Sequence, residues 1–160
     1  MEKLIFDTGL KEFEVNGKHF LRFNPSDPNV YARFMEVYGD ILSEEDSYVK
    51  EMQELRVDDI DELGFAKSKE ALLMMKKYDS HIKERLSYVF GAQNDFNEIL
   101  DGINILAVTG TGERVITNLL NALTPIIEDG MKAHTDAKAQ EAVEKARLNR
   151  EQRRTLAREA

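Results

Sequence analysis

Glu12-Phe13-Glu14-Val15-Asn16-Gly17-Lys18-His19-Phe20 is the clearest local signal in this chain of 160 residues. Asn16-Gly17 stands between two runs of alternating residues, and both residue types tolerate the positive φ angles of a type I′ turn. The segment therefore predicts a β-hairpin with a two-residue loop, in which Phe13 faces Phe20 across the strands.

Both faces of this predicted hairpin are partly apolar. One face carries Phe13, Val15 and Phe20, and the other carries Leu10, Leu21 and Phe23. An isolated hairpin is only marginally stable in water, so we expect it to pack on helices. We also expect the second face to meet a partner or another copy of the chain, because large exposed apolar patches are rare on soluble monomers. Leu4-Ile5-Phe6 is a candidate third strand.

Apolar residues at helical spacing predict a bundle after the hairpin. Pro28 suits the first position of a helix over 28–42, and the acidic run Glu44-Glu45-Asp46 suits the start of a second helix. A long helix is predicted over 65–90, with Gly91 after its end, and a short one between Asn94 and Gly102. Residues 103–108 are apolar and fit either a strand or a buried turn of helix. A last helix is predicted over 113–127, where Pro125 makes either a kink or a restart. The predicted core includes Leu72, Ile82, Leu86, Leu120 and Leu123.

Charge and composition divide the chain at residue 130. Residues 131–160 hold 8 Lys or Arg and 5 Asp or Glu, a net of +3, whereas residues 1–130 hold 14 and 25, a net of −11. The last 30 residues are rich in good helix formers but have few large apolar side chains. We therefore predict an α+β, mostly α fold: a hairpin and helical-bundle domain over 1–130 and a projecting basic, Ala-rich helix over 131–160.

The composition also excludes several classes of protein. The chain has no Cys, which removes disulfides, thiolate catalysis, zinc fingers and iron–sulfur clusters. No apolar run approaches the roughly 18–20 residues of a membrane span, and the N-terminus has no signal-peptide pattern. We expect a cytoplasmic protein with an acidic body, which disfavours a nucleic-acid-binding core.

No residue pattern builds a convincing catalytic, cofactor or metal site. Gly110-Thr111-Gly112 lacks the remaining residues of a phosphate-binding loop and is interpreted as a connecting loop. His81 and Glu84 lack the second Glu-x-x-His unit of a di-metal bundle. The acidic run over 58–62 lacks the alternating ligands and the glycine of a calcium loop. We therefore expect no enzyme activity, no cofactor and no metal.

Asp79 is the unusual residue of the long helix, because it interrupts an apolar stripe. A carboxylate in such a position needs a charge partner or hydrogen-bond donors. One interpretation places it near the edge of the core beside Lys76 or Lys83, one helical turn away. The other makes it an interface or register residue.

Several short motifs resemble small tail-assembly chaperones from long-tailed phages and prophages of Gram-positive bacteria. The N-terminal motifs are Phe6-Asp7-Thr8-Gly9-Leu10, Val15-Asn16-Gly17 and Arg22-Phe23-Asn24-Pro25-Ser26-Asp27. The later motifs are Tyr78-Asp79-Ser80-His81-Ile82-Lys83, Val89-Phe90-Gly91 and Asp101-Gly102-Ile103-Asn104. The resemblance covers residues 6–124. The chain departs from the family pattern by carrying Asp101-Gly102 where relatives tend to have Phe-Gly, and by having no Cys between the motifs.

The resemblance implies a non-enzymatic chaperone of the host cytoplasm that binds the tape-measure protein, helps to recruit tail-tube subunits and is absent from the mature virion. Candidate partner-binding residues are Phe13, Val15, Phe20, Leu21, Phe23, Asp79, Val143, Arg147, Arg150 and Arg154. Two alternatives remain open: a structural head–tail connector or tail-terminator component of the virion, and a regulatory module whose basic tail meets nucleic acid.

Overall fold

The computed structural model describes residues 1–54 and 66–159. It has an antiparallel hairpin of β1 (Lys11–Val15) and β2 (His19–Phe23). The helices of the described residues are α1 (Pro28–Glu54), α2 (Ala66–Phe90), α3 (Phe96–Ile99) and α4 (Val115–Glu159). The predicted fold class, an N-terminal hairpin on helices with a long C-terminal helix, is confirmed. None of the described helices is long and apolar enough to cross a membrane.

The hairpin turn forms at the predicted residues, but its register differs from the prediction. Asn16 and Gly17 have φ angles of 52° and 74°, and the Lys18 N–H donates to the Val15 carbonyl at 3.2 Å. The ladder then begins with Val15 opposite His19, so Lys18 is an additional unpaired residue. Because side chains alternate along a strand, one extra residue moves every side chain of β2 to the other face.

The predicted division of the hairpin into two apolar faces is therefore wrong. Phe13 lies opposite Leu21, and Phe20 lies opposite Glu14. One face carries Phe13, Val15, Leu21 and Phe23 and packs on the core, and the other face carries Glu12, Glu14, Phe20 and Arg22. Of the six apolar side chains assigned to the two faces, those of Leu10 and Phe20 are exposed, and the expectation of a partner at the hairpin rests on these two.

The candidate third strand does not form. Residues 1–10 contain no strand, and the sheet of the described residues has only β1 and β2. The side chains of Leu4, Ile5 and Phe6 are exposed to 86%, 88% and 70%. Residues 1–6, which we call the N-terminal arm, thus carry four exposed apolar side chains outside the sheet.

The first helix is longer than predicted, because α1 continues through Glu44-Glu45-Asp46 to Glu54. No Gly or Pro interrupts this run. Ile41 and Tyr48 are both buried and stand seven residues apart, so the apolar stripe crosses the acidic run on the same face of one helix. The rest of the predicted second helix, over 55–63, lies outside the described residues.

Aromatic rings connect the hairpin to the helices. Phe23 packs on Phe13 at 5.1 Å between ring centroids and on Phe90 at 4.8 Å. Phe90 lies 6.5 Å from Phe34 of α1 and 5.7 Å from Phe96 of α3. These contacts join β1, β2, α1, α2 and α3 in one core.

The predicted core of α2 and α4 is confirmed in part. Ile82, Leu86 and Leu123 are buried and Leu120 is half-buried, but Leu72 is 63% exposed. The N-terminal half of α2 extends beyond the hairpin and α3 contacts, so only its side facing α1, around Ala71 and Tyr78, is covered. The apolar stripe of α2 thus extends along the helix beyond the part that is buried in the core.

The last helix is continuous through Pro125, where the sequence allowed either a kink or a restart. α4 begins at Val115, passes through Pro125 and ends at Glu159. Thr124 donates its hydroxyl to the Leu120 carbonyl at 2.7 Å in the turn that contains Pro125. Gly130 is buried against the backbone of Pro25, which leaves no room for a side chain at that position.

Candidate functional site

The largest exposed feature is the C-terminal half of α4. From Lys132 to Glu159 every side chain is exposed except that of His134, which is half-buried. At about 1.5 Å per residue, residues 131–159 extend about 40 Å beyond the core. The predicted projecting tail is thus the uninterrupted continuation of a core helix, and Gly130 marks the point where that helix leaves the body.

The arginines of this segment form a basic face. Arg147, Arg150 and Arg154 are spaced three and four residues apart, so they share one side of the helix. Arg158 continues the same spacing and was missed in the sequence, although the spacing itself identifies it. Val143 is 70% exposed and lies four residues before Arg147. We define the basic face as Arg147, Arg150, Arg154 and Arg158, with Val143 at its N-terminal end.

The predicted partner-binding residues of the hairpin separate into core and surface. Leu21 and Phe23 are 3% and 2% exposed, and they belong to the core rather than to a partner surface. Phe13 and Val15 are half-buried against the same core. Only Phe20, which is 47% exposed, is available on the outer face.

Asn94 fixes the hairpin to the end of α2, a role that the sequence analysis did not identify. Its side-chain oxygen accepts from the Arg22 N–H at 2.9 Å, and its amide nitrogen donates to the Arg22 carbonyl at 2.8 Å. The same nitrogen donates to the Phe90 carbonyl at 2.9 Å. The buried Asn94 side chain therefore occupies the outer edge of β2 at Arg22, in the way that a neighbouring strand would.

Asp101 ties the hairpin turn to the loop that precedes α4. Its Oδ1 accepts from Lys18 Nζ at 2.9 Å and lies 2.7 Å from His19 Nε2. Hydrogen bonds from His19 and Lys18 hold the pKa of the Asp101 carboxyl below its usual range. Asp101 and Gly102 have φ angles of 54° and 72°, so this turn uses left-handed conformations that glycine and Asp or Asn adopt most readily. Asp101 thus makes a structural contact that holds the hairpin turn in this chain.

Asp79, which is half-buried, pairs with the buried Lys83, one of the two lysines that the sequence places beside it. Lys83 Nζ is 2.9 Å from Asp79 Oδ2, and it also donates to Asn97 Oδ1 at 2.9 Å and to the Ile103 carbonyl at 2.8 Å. Asp79 Oδ1 accepts from the Ile105 N–H at 2.7 Å. Three acceptors thus satisfy the three donors of the ammonium group, and the pair fixes α3 and the 103–105 loop on α2.

A second polar cluster joins the distal parts of α1 and α2. His81 Nε2 lies 3.0 Å from Glu44 Oε1, and Arg85 pairs with Asp40 at 2.6 Å. The Tyr78 ring stacks on that of Tyr48 at 4.9 Å, and burial, with smaller contributions from nearby glutamates, raises the pKa of Tyr78 to about 12. The His81 side chain therefore meets a carboxylate of another helix rather than Glu84.

The remaining candidate sites have structural contacts or lie outside the described chain. Thr109 and Glu113 close the Gly110-Thr111-Gly112 loop through a backbone hydrogen bond of 2.8 Å, and Gly112 has a φ of 85°. The 103–108 segment is irregular apart from one bridge between Val108 and Arg114. The acidic run over 58–62 lies outside the described residues. Within 1–54 and 66–159, no three His, Asp or Glu side chains are arranged to hold a metal ion.

Comparison with family models, with curated proteins and with solved structures finds no match to this chain. Exposed apolar side chains also occur on α1 and α2, at Met35, Leu42, Leu72 and Leu73, so the basic face of α4, the N-terminal arm and the ring of Phe20 are three of several surfaces open to a partner.

Proposed function

We propose that this chain is a non-enzymatic tail-assembly chaperone that binds the tape-measure protein and helps to recruit tail-tube subunits. The observation that carries the proposal is the exposed continuation of α4 over residues 131–159. Most helical stability in proteins comes from tertiary packing, which this segment lacks, so a partner that covers it adds to its stability. The motif resemblance supplies the class of partner.

The charge distribution supports a protein partner on this helix. The body over 1–130 has a net charge of −11, and the tail over 131–160 has a net charge of +3. The basic face presents planar guanidinium groups, a type that forms bidentate hydrogen bonds with carboxylates, and that of Arg147 pairs with Glu144 of the same helix at 2.9 Å. Val143 adds an apolar contact at the end of the same face. A helical segment with acidic and apolar residues, such as a long tape-measure helix can present, is complementary to this surface.

The test is co-purification of the full chain with the tape-measure protein of the same phage. In the variant R147E/R150E/R154E the basic face is reversed, and we expect at least a tenfold loss of binding. The matched control is K138E/K145E/R153E, which changes the net charge equally. At about 3.6 residues per turn these three residues lie on another side of α4.

The proposal predicts that the control variant retains binding, that both variants keep the far-ultraviolet circular dichroism of the parent, and that purified virions lack this chain. Equal loss in both variants would point to non-specific charge attraction. Unchanged binding in both would remove the basic face from the partner surface. A fixed copy number in purified particles would instead favour the structural alternative, a connector or tail-terminator component.

A further inference from the structure

The N-terminal arm is the most apolar exposed segment of the described chain. Leu4, Ile5 and Phe6 are exposed to 86%, 88% and 70% and form no strand. The arm leaves the body at a fixed point, because Asn24 Nδ2 donates to the Thr8 carbonyl at 2.9 Å and Asn24 also packs against Gly9. Three adjacent apolar side chains that are exposed next to a fixed point of the chain are typical of a segment that binds another surface.

The two outer edges of the hairpin differ in a way that defines such a surface. The outer edge of β2 is closed at Arg22 by the Asn94 side chain. Since the backbone groups of Arg22 face Asn94, those of the opposite residue, Glu12, face away from β2. Along an antiparallel strand every second residue directs its backbone N–H and C=O groups outward, so those of Glu14 also face away from β2. In the described chain no strand pairs with this outer edge of β1.

We propose that the N-terminal arm of one copy of this chain adds in parallel to the outer edge of β1 in a second copy. One register makes the two sequences complementary along their length. It places Glu2 beside Lys11, Lys3 beside Glu12, Leu4 beside Phe13, Ile5 beside Glu14, and Phe6 beside Val15. Both charged pairs at the start are of opposite sign, and the pairs Leu4–Phe13 and Phe6–Val15 extend the apolar face of the hairpin.

The parallel direction identifies a second copy as the source of the arm. Parallel neighbouring strands need a connection of about a dozen or more residues, whereas only residues 7–10 separate the arm from β1. A chain therefore cannot place its own arm on its own β1 edge in this register. Strand addition to an open edge is a general mode of protein association, in which backbone hydrogen bonds supply affinity and side chains specify register.

The first experiment measures mass by light scattering over a concentration series of the full chain. We expect association above the monomer mass, and we expect the variant L4S/F6S to be monomeric at the same concentrations. The matched control is L72S/L73S, which removes two other leucines that are 63% and 57% exposed. Retained association in this control would show that the arm is specific. A monomer at every concentration, or equal loss in both variants, would overturn the proposal.

The second experiment uses the absence of cysteine in the chain to test direction and copy. Chains carrying I5C are mixed with larger, tagged chains carrying E14C and oxidised, and we expect a disulfide-linked pair of unequal chains. A disulfide within one chain in the I5C/E14C double variant would instead show that the arm folds back on its own edge. The register is tested by charge: E2K or K11E alone should weaken association about two- to fivefold, and the E2K/K11E variant should recover it. These measurements use no phage component, so their failure is distinct from failure of the proposed function.

Discussion

Gly130 offers the sharpest test of how α4 is held to the body. A Cβ atom at this position would overlap the carbonyl group of Pro25 and would lie 2.8 Å from Pro25 Cβ. Non-bonded carbon atoms are most stable at about 3.5–4.0 Å, so the helix or the Pro25 segment has to move. The neighbour is buried backbone rather than the end of a flexible side chain, and the substitution Gly130→Ala therefore tests a close contact between helix and loop.

Two effects of opposite sign determine the expected stability. Replacing Gly by Ala inside a helix stabilises it by about 1 kcal/mol through helix propensity. Overpacking a buried contact costs about 1–3 kcal/mol, with larger values where backbone has to shift. Because the overlap is with backbone, the packing cost lies in the upper part of this range, about 2–3 kcal/mol. After the gain of about 1 kcal/mol from helix propensity is subtracted, we expect Gly130→Ala to lower the free energy of unfolding by about 1–2 kcal/mol. For a chain of this length, that corresponds to a melting temperature lower by about 2–8 °C.

The matched control is Gly39→Ala in α1. Gly39 is also helical, but no atom lies within 4 Å of its Cβ position. This substitution should raise the free energy of unfolding by about 0.5–1 kcal/mol. Urea denaturation followed by circular dichroism measures both variants against the parent. If Gly130→Ala proves as stabilising as Gly39→Ala, the close approach of α4 to Pro25 is incorrect.

Two further substitutions test the core and the turn contact. Leu86→Ala should lower the free energy of unfolding by about 2–5 kcal/mol because Leu86 is 1% exposed. Leu72→Ala, at an exposed site, should change it by less than about 0.5 kcal/mol. Equal effects of the two substitutions in thermal melts would contradict the core assignment. Asp101→Asn should destabilise the protein near neutral pH, since the depressed pKa of Asp101 means that its ionised form favours the folded state. This contribution to stability is present above the usual carboxyl pKa and is lost as the pH falls through the lowered pKa of Asp101. The stabilities of parent and variant should therefore converge in acid. A difference in urea midpoints that stays constant from neutral to acidic pH would exclude the carboxylate as its source.

Local sequence signals predicted the elements of this fold well where one residue type imposes one conformation. Asn16-Gly17 formed its turn, Gly91 followed the end of α2, and the short helix α3 formed between Asn94 and Gly102. The register of the hairpin was not predictable in the same way. Leaving Lys18 unpaired turns Leu21 and Phe23 to the same face as Phe13, towards the core, and this selection depends on helices that are distant in the sequence.

Burial was harder to predict from periodicity than helix formation. Leu72 and Leu86 occupy the same predicted stripe of α2, but only Leu86 belongs to the buried core that the helices and the hairpin share. Among the candidate site residues, Arg147, Arg150 and Arg154 were placed on one exposed side as their spacing requires. Asn94 was missed because a single buried amide has no sequence pattern, and its role becomes evident only when the strand edge is known.

Two adjacent residues, Asn24 and Pro25, contact the points at which the two proposed binding segments leave the body. Asn24 holds Thr8 and Gly9, where the N-terminal arm begins, and Pro25 contacts Gly130, where α4 leaves the core. If arms are exchanged between copies and α4 binds a partner helix, association would hold several basic faces at fixed positions relative to one another. Linked sites bind a long partner more tightly than one site does, because each later contact is intramolecular. Loss of association in L4S/F6S should then weaken binding to a long tape-measure fragment more than binding to a fragment that covers a single α4. Equal weakening for both fragments would mean that the two segments act independently.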